Sequence, residues 1–281
     1  MKLVSYSVDG RPTYGAVVGE AVVEIPPLRP GLPATLKGAL RLGVEAIAEA
    51  LAGAADAGGP AFDDLDLLPV VPDPGKVICA GVNYADHRSE TGRQQADYPT
   101  LFVRFADSQV GHEHPVAVPD VSTALDYEGE LAVVIGEPAY KVPAGEALTH
   151  VAGYACFDDF TVRDFQRHSS QFTPGKNFIG VGSFGPWLVT ADEIADVEAL
   201  HLETRVNGET RQSAQVSDMI FSIPELIAYV TTFTRLDTGD VVVTGTPGGV
   251  GFFRDPPLLL RSGDVVEVEI DHVGLLRTPI A

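Results

Sequence analysis

Positive charge is scarce in this chain of 281 residues. Lysine and arginine number 19 against 39 aspartates and glutamates, which gives a formal charge of −20. Nucleic acids and anionic membranes bind positive surfaces, so this balance argues against both as partners and makes a cation the more natural ligand. A solubilising acidic surface explains most of these charges, so only the placement of particular carboxylates can single out a site.

Cysteine and long apolar runs are also scarce. The two cysteines, Cys79 and Cys156, lie far apart in apolar segments. This placement predicts buried thiols in a reducing compartment and no disulfide. No segment reaches the roughly 18 apolar residues that a membrane helix requires, and the first residues contain no apolar signal region. We therefore expect a cytoplasmic protein that does not enter a membrane.

Prolines divide the sequence near residue 70. Before them, short β-type runs precede a helical stretch rich in alanine and leucine, from residue 33 to about 55. Prolines at 69, 72 and 74 interrupt any strand or helix there. We therefore predict a small, variable α+β domain over 1–70 and a mostly β domain with some helix over 71–281.

The larger segment contains many strand patterns and one clearly marked helix. Ser222 and Glu225 match a capping box, which predicts a helix from about 223 to 234. Asn207-Gly208 between two alternating runs predicts a hairpin. The polar segment 88–99 predicts a loop that can move or become ordered on binding. Strands are predicted at 76–81, 101–105, 130–135, 151–157, 201–206, 241–244, 264–270 and 274–278.

Glu128 and Glu130 lie one residue apart at the head of the apolar run 131–135. On a strand their side chains point to the same side. Two ionised carboxylates placed that closely repel each other unless a cation lies between them. Oxygen ligands favour Mg²⁺, Mn²⁺ or Ca²⁺. The pair therefore indicates either a metal site or an edge pair at the mouth of a strand.

Glu267 and Glu269 have the same spacing as Glu128 and Glu130. This second pair shows that the spacing alone does not indicate a metal site. Valines alternate with these glutamates, as in a half-exposed strand, so we expect both carboxylates to be solvated. Asp158 and Asp159 follow another apolar run and can add a third carboxylate to the first pair. An equally good local alternative is that one of these aspartates caps a helix.

A histidine and a lysine are candidate catalytic groups. If residues 83–90 form a helical turn, His87 and Glu90 share a face, and the carboxylate can orient the imidazole as a general base. A structural histidine and an exposed glutamate are the alternative. Lys176, next to Gly175, can neutralise a substrate carboxylate or a developing oxyanion, or it can be an ordinary surface lysine.

The glycine-rich loop 245–251 lacks the Gly-Lys-Ser/Thr ending of a Walker motif and does not precede an obvious helix. We expect it to approach a ligand closely without binding a nucleotide. His112 and His114 are flanked by Gly111 and Pro115, so we expect loop residues there rather than metal ligands.

Six ordered motifs together resemble the fumarylacetoacetate hydrolase family over residues 76–280. The motifs are the segments 83–87, 126–131, 161–166, 175–178, 219–224 and 244–251. The resemblance implies a mixed β-roll catalytic domain that is usually homodimeric. It also implies Mg²⁺ or Mn²⁺ held by Glu128, Glu130 and Asp159, with Ca²⁺ as a substitute in crystals.

The same resemblance implies that His87 and Glu90 form a water-activating pair on a lid, and that Lys176 is catalytic. Substrate-binding positions fall on Arg104, Arg163, Gln166 and Thr246. Arg104 departs from the lysine that many members carry. Because a guanidinium can donate two parallel hydrogen bonds to a carboxylate, the far end of the substrate can differ from that of the other members' substrates.

Together these features predict a metal-dependent hydrolase that cleaves a carbon–carbon bond in an acylpyruvate-like 2,4-diketo acid. The metal would chelate the 2-oxo acid end, and His87 with Glu90 would activate water. An oxaloacetate-type decarboxylase or a hydroxymuconate-type diacid isomerase on the same scaffold is the alternative. A noncatalytic binding protein stabilised by metal is a further one.

Overall fold

A computed structural model describes residues 1–54, 58–94 and 96–281. Its strands are β1 (Lys2–Val8), β2 (Arg11–Val18), β3 (Ala21–Glu24), β4 (Asp66–Leu67), β5 (Val77–Gly81), β6 (Thr100–Arg104), β7 (Leu125–Asp126), β8 (Gly129–Ile135), β9 (Val151–Asp158), β10 (Thr161–Val162), β11 (Ser183–Thr190), β12 (His201–Val206), β13 (Glu209–Gln215), β14 (Val241–Val243), β15 (Val265–Ile270) and β16 (Gly274–Pro279). Its α-helices are α1 (Leu36–Leu40), α2 (Val44–Ala52), α3 (Ala85–Thr91), α4 (Ala144–Ala147), α5 (Arg163–Gln166), α6 (Thr173–Lys176) and α7 (Ile223–Phe233).

The strands and the helix predicted for the larger segment are all present. The predicted strands correspond to β5, β6, β8, β9, β12, β14, β15 and β16. Ser222 and Glu225 form the expected capping box at the start of α7, and Asn207-Gly208 joins β12 to β13. The predicted fold class, mostly β with some helix, is therefore confirmed.

β11 was not predicted, because Gly185 and Pro186 interrupt its apolar pattern. A proline cannot donate a hydrogen bond to a neighbouring strand, so it normally argues against an internal strand. The register between β11 and β9 shifts between Gly185 and Val189. This irregularity accommodates the proline inside the sheet.

The helical stretch near the amino terminus is two helices, α1 and α2, rather than one. Gly43 separates them with a φ of 88°, a value that glycine adopts without steric cost. The end of the helix predicted near residue 55 lies outside the described residues.

One large sheet runs through the molecule in the order β3-β2-β1-β11-β9-β8-β14-β5-β6, with β4 paired to β1. The β14–β5 pair is parallel and its neighbours are antiparallel, so the sheet is mixed. Because β1 pairs with β11, the segment before residue 70 shares this sheet with the rest of the chain. The domain boundary near residue 70 stays a prediction.

β8 lies at the centre of the fold and is covered on both faces. Leu131, Val133 and Ile135 pack in a core formed with α7 and the four-stranded sheet β13-β12-β15-β16. Ala132 and Val134 pack on the other face, in a core shared with α1 and α2. This double burial explains why the strand is apolar at every position after Glu130, and it fixes the strand that carries the predicted ligands.

Cys79 and Cys156 are both buried and free, as predicted. Within the described part of the chain, no helix combines the length and the apolar character needed to cross a membrane. The cytoplasmic location and the homodimer stay predictions.

Candidate active site

Two neighbouring strands bring the three predicted metal ligands to one point. Glu128 precedes β8, Glu130 lies within it, and Asp159 directly follows β9. The strands pair with Gly129 opposite Asp158, which places Asp159 beside the two glutamates. These three acids, the acid triad, are buried, and one oxygen from each carboxylate lies within 4.8 Å of the others.

Buried basic side chains hold two members of the triad. Lys176 Nζ lies 2.6 Å from Glu128 Oε2 and also contacts the Asp159 carboxylate. Arg163 Nη1 lies 2.6 Å from the other oxygen of Glu128. The guanidinium of Arg104 contacts the Asp159 carboxylate. Lys176 is therefore not a surface lysine but part of the site.

The buried charges around the triad do not balance. Five buried carboxylates lie among three buried basic side chains. The carboxylates are those of Asp126, Glu128, Glu130, Asp158 and Asp159, and the basic side chains are Arg104, Arg163 and Lys176. With every group ionised, two negative charges remain. Because burial makes uncompensated charge costly, either protonation of two of these carboxyl groups or a bound divalent cation would restore the balance.

Glu130 and Asp158 are the least compensated of these acids, since burial is the largest of the causes that raise the pKa of each carboxyl well above its usual value. Burial, followed by the negative charges of Asp159 and Glu128, raises the pKa of the Glu130 carboxyl well above its usual value. At Glu128, burial also disfavours the charged form, but Lys176 and then Arg163 outweigh it and lower the pKa to about 2. A cation beside Glu130 would relieve this repulsion. The all-oxygen donor set suits Mg²⁺ or Mn²⁺, so the triad can hold a hard divalent metal.

Glu267 and Glu269 have a different environment. Glu269 is exposed and Glu267 is half-buried on β15. Arg205 pairs with both, at 3.2 Å from Glu267 and 2.7 Å from Glu269. Their partial exposure to solvent agrees with the prediction. The two glutamate pairs therefore have the same spacing but differ in burial, since Glu128 and Glu130 are buried.

His87 and Glu90 meet on α3 as predicted. His87 Nδ1 lies 3.1 Å from Glu90 Oε2, and Glu90 Oε1 accepts a hydrogen bond of 3.1 Å from the N–H of Gly249. With the Nδ1 proton assigned to the bond with Glu90, the lone pair stays on Nε2. The start of the predicted loop 88–99 belongs to α3, and residue 95 lies outside the described residues.

The loop 245–251 connects the triad to this histidine pair. The N–H of Gly245 donates to Glu130 Oε2 at 2.6 Å, and the N–H of Gly249 donates to Glu90. Gly245 has a φ of 103°, which strongly favours glycine. The loop therefore approaches the site closely through its backbone, as predicted.

A cavity of about 190 Å³ lies against these groups. The predicted site residues in its wall are His87, Glu128, Glu130, Arg163, Gln166, Lys176 and Thr246. Thr246 is fixed by its hydrogen bonds, since its hydroxyl donates to the carbonyl of Gly129 at 3.0 Å and accepts from Gln212 at 2.7 Å. Glu128, Glu130 and His87 therefore face one common space, and Asp159 lies next to it, in contact with the cavity residue Lys176.

Arg104 lies elsewhere than the sequence predicts. It is buried behind Asp159, where its guanidinium also contacts the carbonyl oxygens of Phe160 and Val181. It is not among the described residues that line the cavity. This position fits a group that orients Asp159 and does not support the predicted contact with the far end of a substrate.

Sequence reasoning missed Asp126. Its carboxylate accepts a hydrogen bond of 2.8 Å from Arg163 Nε and two more from the N–H groups of Gly251 and Phe252, at 2.8 and 2.9 Å. It therefore ties the glycine-rich loop to Arg163. Asp126, Glu128 and Glu130 are each two residues apart, and this spacing could have identified Asp126 as a member of the site.

The apolar wall of the cavity was also missed. It is formed by Phe102, Phe172, Phe252 and Phe253. These residues come from three distant segments of the chain, so no local pattern marks them as neighbours.

The chain is similar in sequence to known enzymes. Residues 76–281 match the model of the fumarylacetoacetate hydrolase C-terminal family. An oxaloacetate tautomerase of Bacillus subtilis is 43% identical over 223 residues, which cover 78% of this chain and 74% of that protein. A mitochondrial oxaloacetate tautomerase of Xenopus laevis is 37% identical over 266 residues, which cover 93% of this chain and 83% of that protein.

The chain is also similar in structure along its whole length. A maleylpyruvate hydrolase from Sphingobium, solved in complex with manganese(II) and pyruvate, superposes with a TM-score of 0.84 at 28% identity. The match covers 100% of this chain and 99% of that one. Sequence and structure agree on one assignment: the chain belongs to the fumarylacetoacetate hydrolase family.

Proposed function

We propose that this protein is a divalent-metal-dependent enzyme that converts a small 2-oxo acid between its keto and enol forms, as an oxaloacetate-type tautomerase. The observation that carries the proposal is that Glu128, Glu130 and His87 line one cavity, with a carboxylate oxygen of Asp159 within 4.8 Å of those of the two glutamates. Similarity to the oxaloacetate tautomerases of Bacillus subtilis and Xenopus laevis supports the reaction. The manganese and pyruvate in the maleylpyruvate hydrolase structure support a metal bound beside a 2-oxo acid.

The acid triad would hold Mg²⁺ or Mn²⁺. When bound, the ion supplies a Lewis acid that lowers the cost of negative charge on the 2-oxo oxygen of the substrate. Lys176 holds Glu128 and Asp159 in place through its contacts with both carboxylates. Because Lys176 also lines the cavity, its ammonium adds positive charge near the oxygen on which negative charge develops.

His87 would move the proton. Its Nε2 takes a proton from C3 of the keto acid, and the electrons of the C–H bond form the C2–C3 double bond. The electrons of the C2–O double bond move to the oxygen, which takes the proton back from the His87 imidazolium to give the enol. Glu90, 3.1 Å from Nδ1, stabilises the imidazolium between the two transfers. The reverse sequence returns the keto form.

The cavity has room for a short substrate. Its volume is about 190 Å³, and a longer substrate would extend past the exposed Arg93 and Arg167.

The second candidate is hydrolysis of a carbon–carbon bond in an acylpyruvate-like 2,4-diketo acid. The hydrogen bond between His87 and Glu90 favours it, because the same base can take a proton from water as well as from carbon. Both reactions place negative charge on the same 2-oxo oxygen, so the triad serves either one.

A substrate panel with Mg²⁺ or Mn²⁺ tests this proposal. We expect the enzyme to accelerate the enol-to-keto conversion of oxaloacetate, followed by ultraviolet absorbance, and to lose this activity in the presence of a chelator. Release of pyruvate from oxaloacetate would identify a decarboxylase instead. Cleavage of acylpyruvates alone would favour the hydrolase. A metal-dependent thermal shift without turnover of any substrate would indicate a noncatalytic binding protein.

A further inference from the structure

Two exposed arginines line the open end of the cavity. They are Arg93, just after α3, and Arg167, just after α5. The guanidinium carbon of Arg93 lies 4.8 Å from the ring centroid of Phe172, and that of Arg167 lies 5.4 Å from the ring centroid of Phe252. Both rings also line the cavity. Each cation is therefore held at the cavity wall by attraction to a ring face.

These arginines differ from the inner basic groups. Lys176 and Arg163 are already paired with the buried carboxylate of Glu128, at 2.6 Å each. Among the described residues, Arg93 and Arg167 contact aromatic rings and pair with no carboxylate. In a chain with a formal charge of −20, two such cations beside one cavity form a local site for an anion.

The chemistry of the guanidinium narrows the choice of anion. Its planar fork of N–H donors matches the two oxygens of a carboxylate. A guanidinium held over a ring face can still present the N–H donors of its edge to a ligand.

We infer that Arg93 and Arg167 bind a second carboxylate of the substrate, so that the enzyme selects dicarboxylic 2-oxo acids. The inference rests on the proposed function in one respect, since it places the 2-oxo acid end at the acid triad. The far end of a short substrate then points to the open end of the cavity. Arg93 and Arg167 take the role that the sequence analysis gave to Arg104, which is buried behind Asp159.

Calorimetric binding of malate and lactate in the presence of Mg²⁺ tests this inference without turnover. Both ligands carry a 2-hydroxy acid end, but only malate has a second carboxylate. We expect the wild-type protein to bind malate more tightly than lactate. Arg93→Gln and Arg167→Gln should each weaken malate binding about 10-fold, the cost of losing a charged hydrogen-bond partner, and leave lactate binding unchanged.

Arg41→Gln is the matched control, because Arg41 is an exposed arginine of the amino-terminal segment, outside this cavity. It should change neither affinity. No malate binding, no preference for malate in the wild type, or an equal loss for both ligands in the variants would overturn the inference. A preference for malate without tautomerisation of oxaloacetate would overturn the proposed function alone. Tautomerisation without that preference would overturn the arginine site alone.

Discussion

Glu130→Gln abolishes metal-dependent turnover and weakens Mg²⁺ and Mn²⁺ binding by more than 100-fold. This loss exceeds the roughly 10- to 100-fold that removal of an outer partner of a metal ligand costs, because the change removes a charged ligand itself. Glutamine keeps the shape of the side chain, and its carbonyl oxygen can still accept the hydrogen bond from Gly245. Metal titration by calorimetry measures the loss directly.

The variant is expected to fold, because an uncharged amide replaces a buried carboxyl. Burial and the neighbouring acids raise the pKa of that carboxyl, which means that its ionised form is unfavourable there. Unfolding temperatures measured without metal check this point. Glu269→Gln is the matched control, since it makes the same chemical change at an exposed partner of Arg205 and should leave metal affinity unchanged. An unchanged metal affinity in Glu130→Gln would show that the triad is not the metal site.

His87→Ala lowers kcat by about 100- to 10,000-fold, the range typical of a lost general base, and leaves metal affinity unchanged. The side chain contacts Glu90 and lines the cavity, so its removal takes away the proton acceptor but none of the proposed metal ligands. Stopped-flow absorbance with oxaloacetate measures the rate, and calorimetry measures the metal affinity of the same preparation.

His150→Ala is the control for this variant, because His150 contacts a backbone carbonyl, that of Glu137, at 3.2 Å and lies outside the cavity. It should retain full activity. Glu90→Gln should have a smaller effect than His87→Ala, since it weakens the support of the base but keeps the base. Full turnover by His87→Ala on every substrate would mean that another group moves the proton.

Much of the fold was predictable because its signals are local. The strand runs, the capping box before α7 and the turn at Asn207-Gly208 each depend on a few adjacent residues. The pairing of β1 with β11 joins segments far apart in sequence, so no local pattern shows it. β11 itself was hidden by Pro186, which only the irregular register with β9 makes compatible with a strand.

The parts of the site that were predictable are those in which the backbone geometry alone determines which side chains are neighbours. The alternation of Glu128 and Glu130 on a strand, and the spacing of His87 and Glu90 on a helix, fix which side chains share a side. The direction of a long side chain depends instead on packing. Arg104 therefore lies behind Asp159, and Lys176 is buried although its local sequence fits a surface loop equally well.

Diffraction at the manganese absorption edge, from crystals grown with Mn²⁺ and oxalate, tests the metal site most directly. We expect one strong anomalous peak within bonding distance of an oxygen from each of Glu128, Glu130 and Asp159, with oxalate on the same ion and between it and His87. A peak at any other group of side chains would contradict the proposed metal site. A triad without a metal peak at saturating Mn²⁺, with Lys176 still bridging Glu128 and Asp159, would contradict it as well.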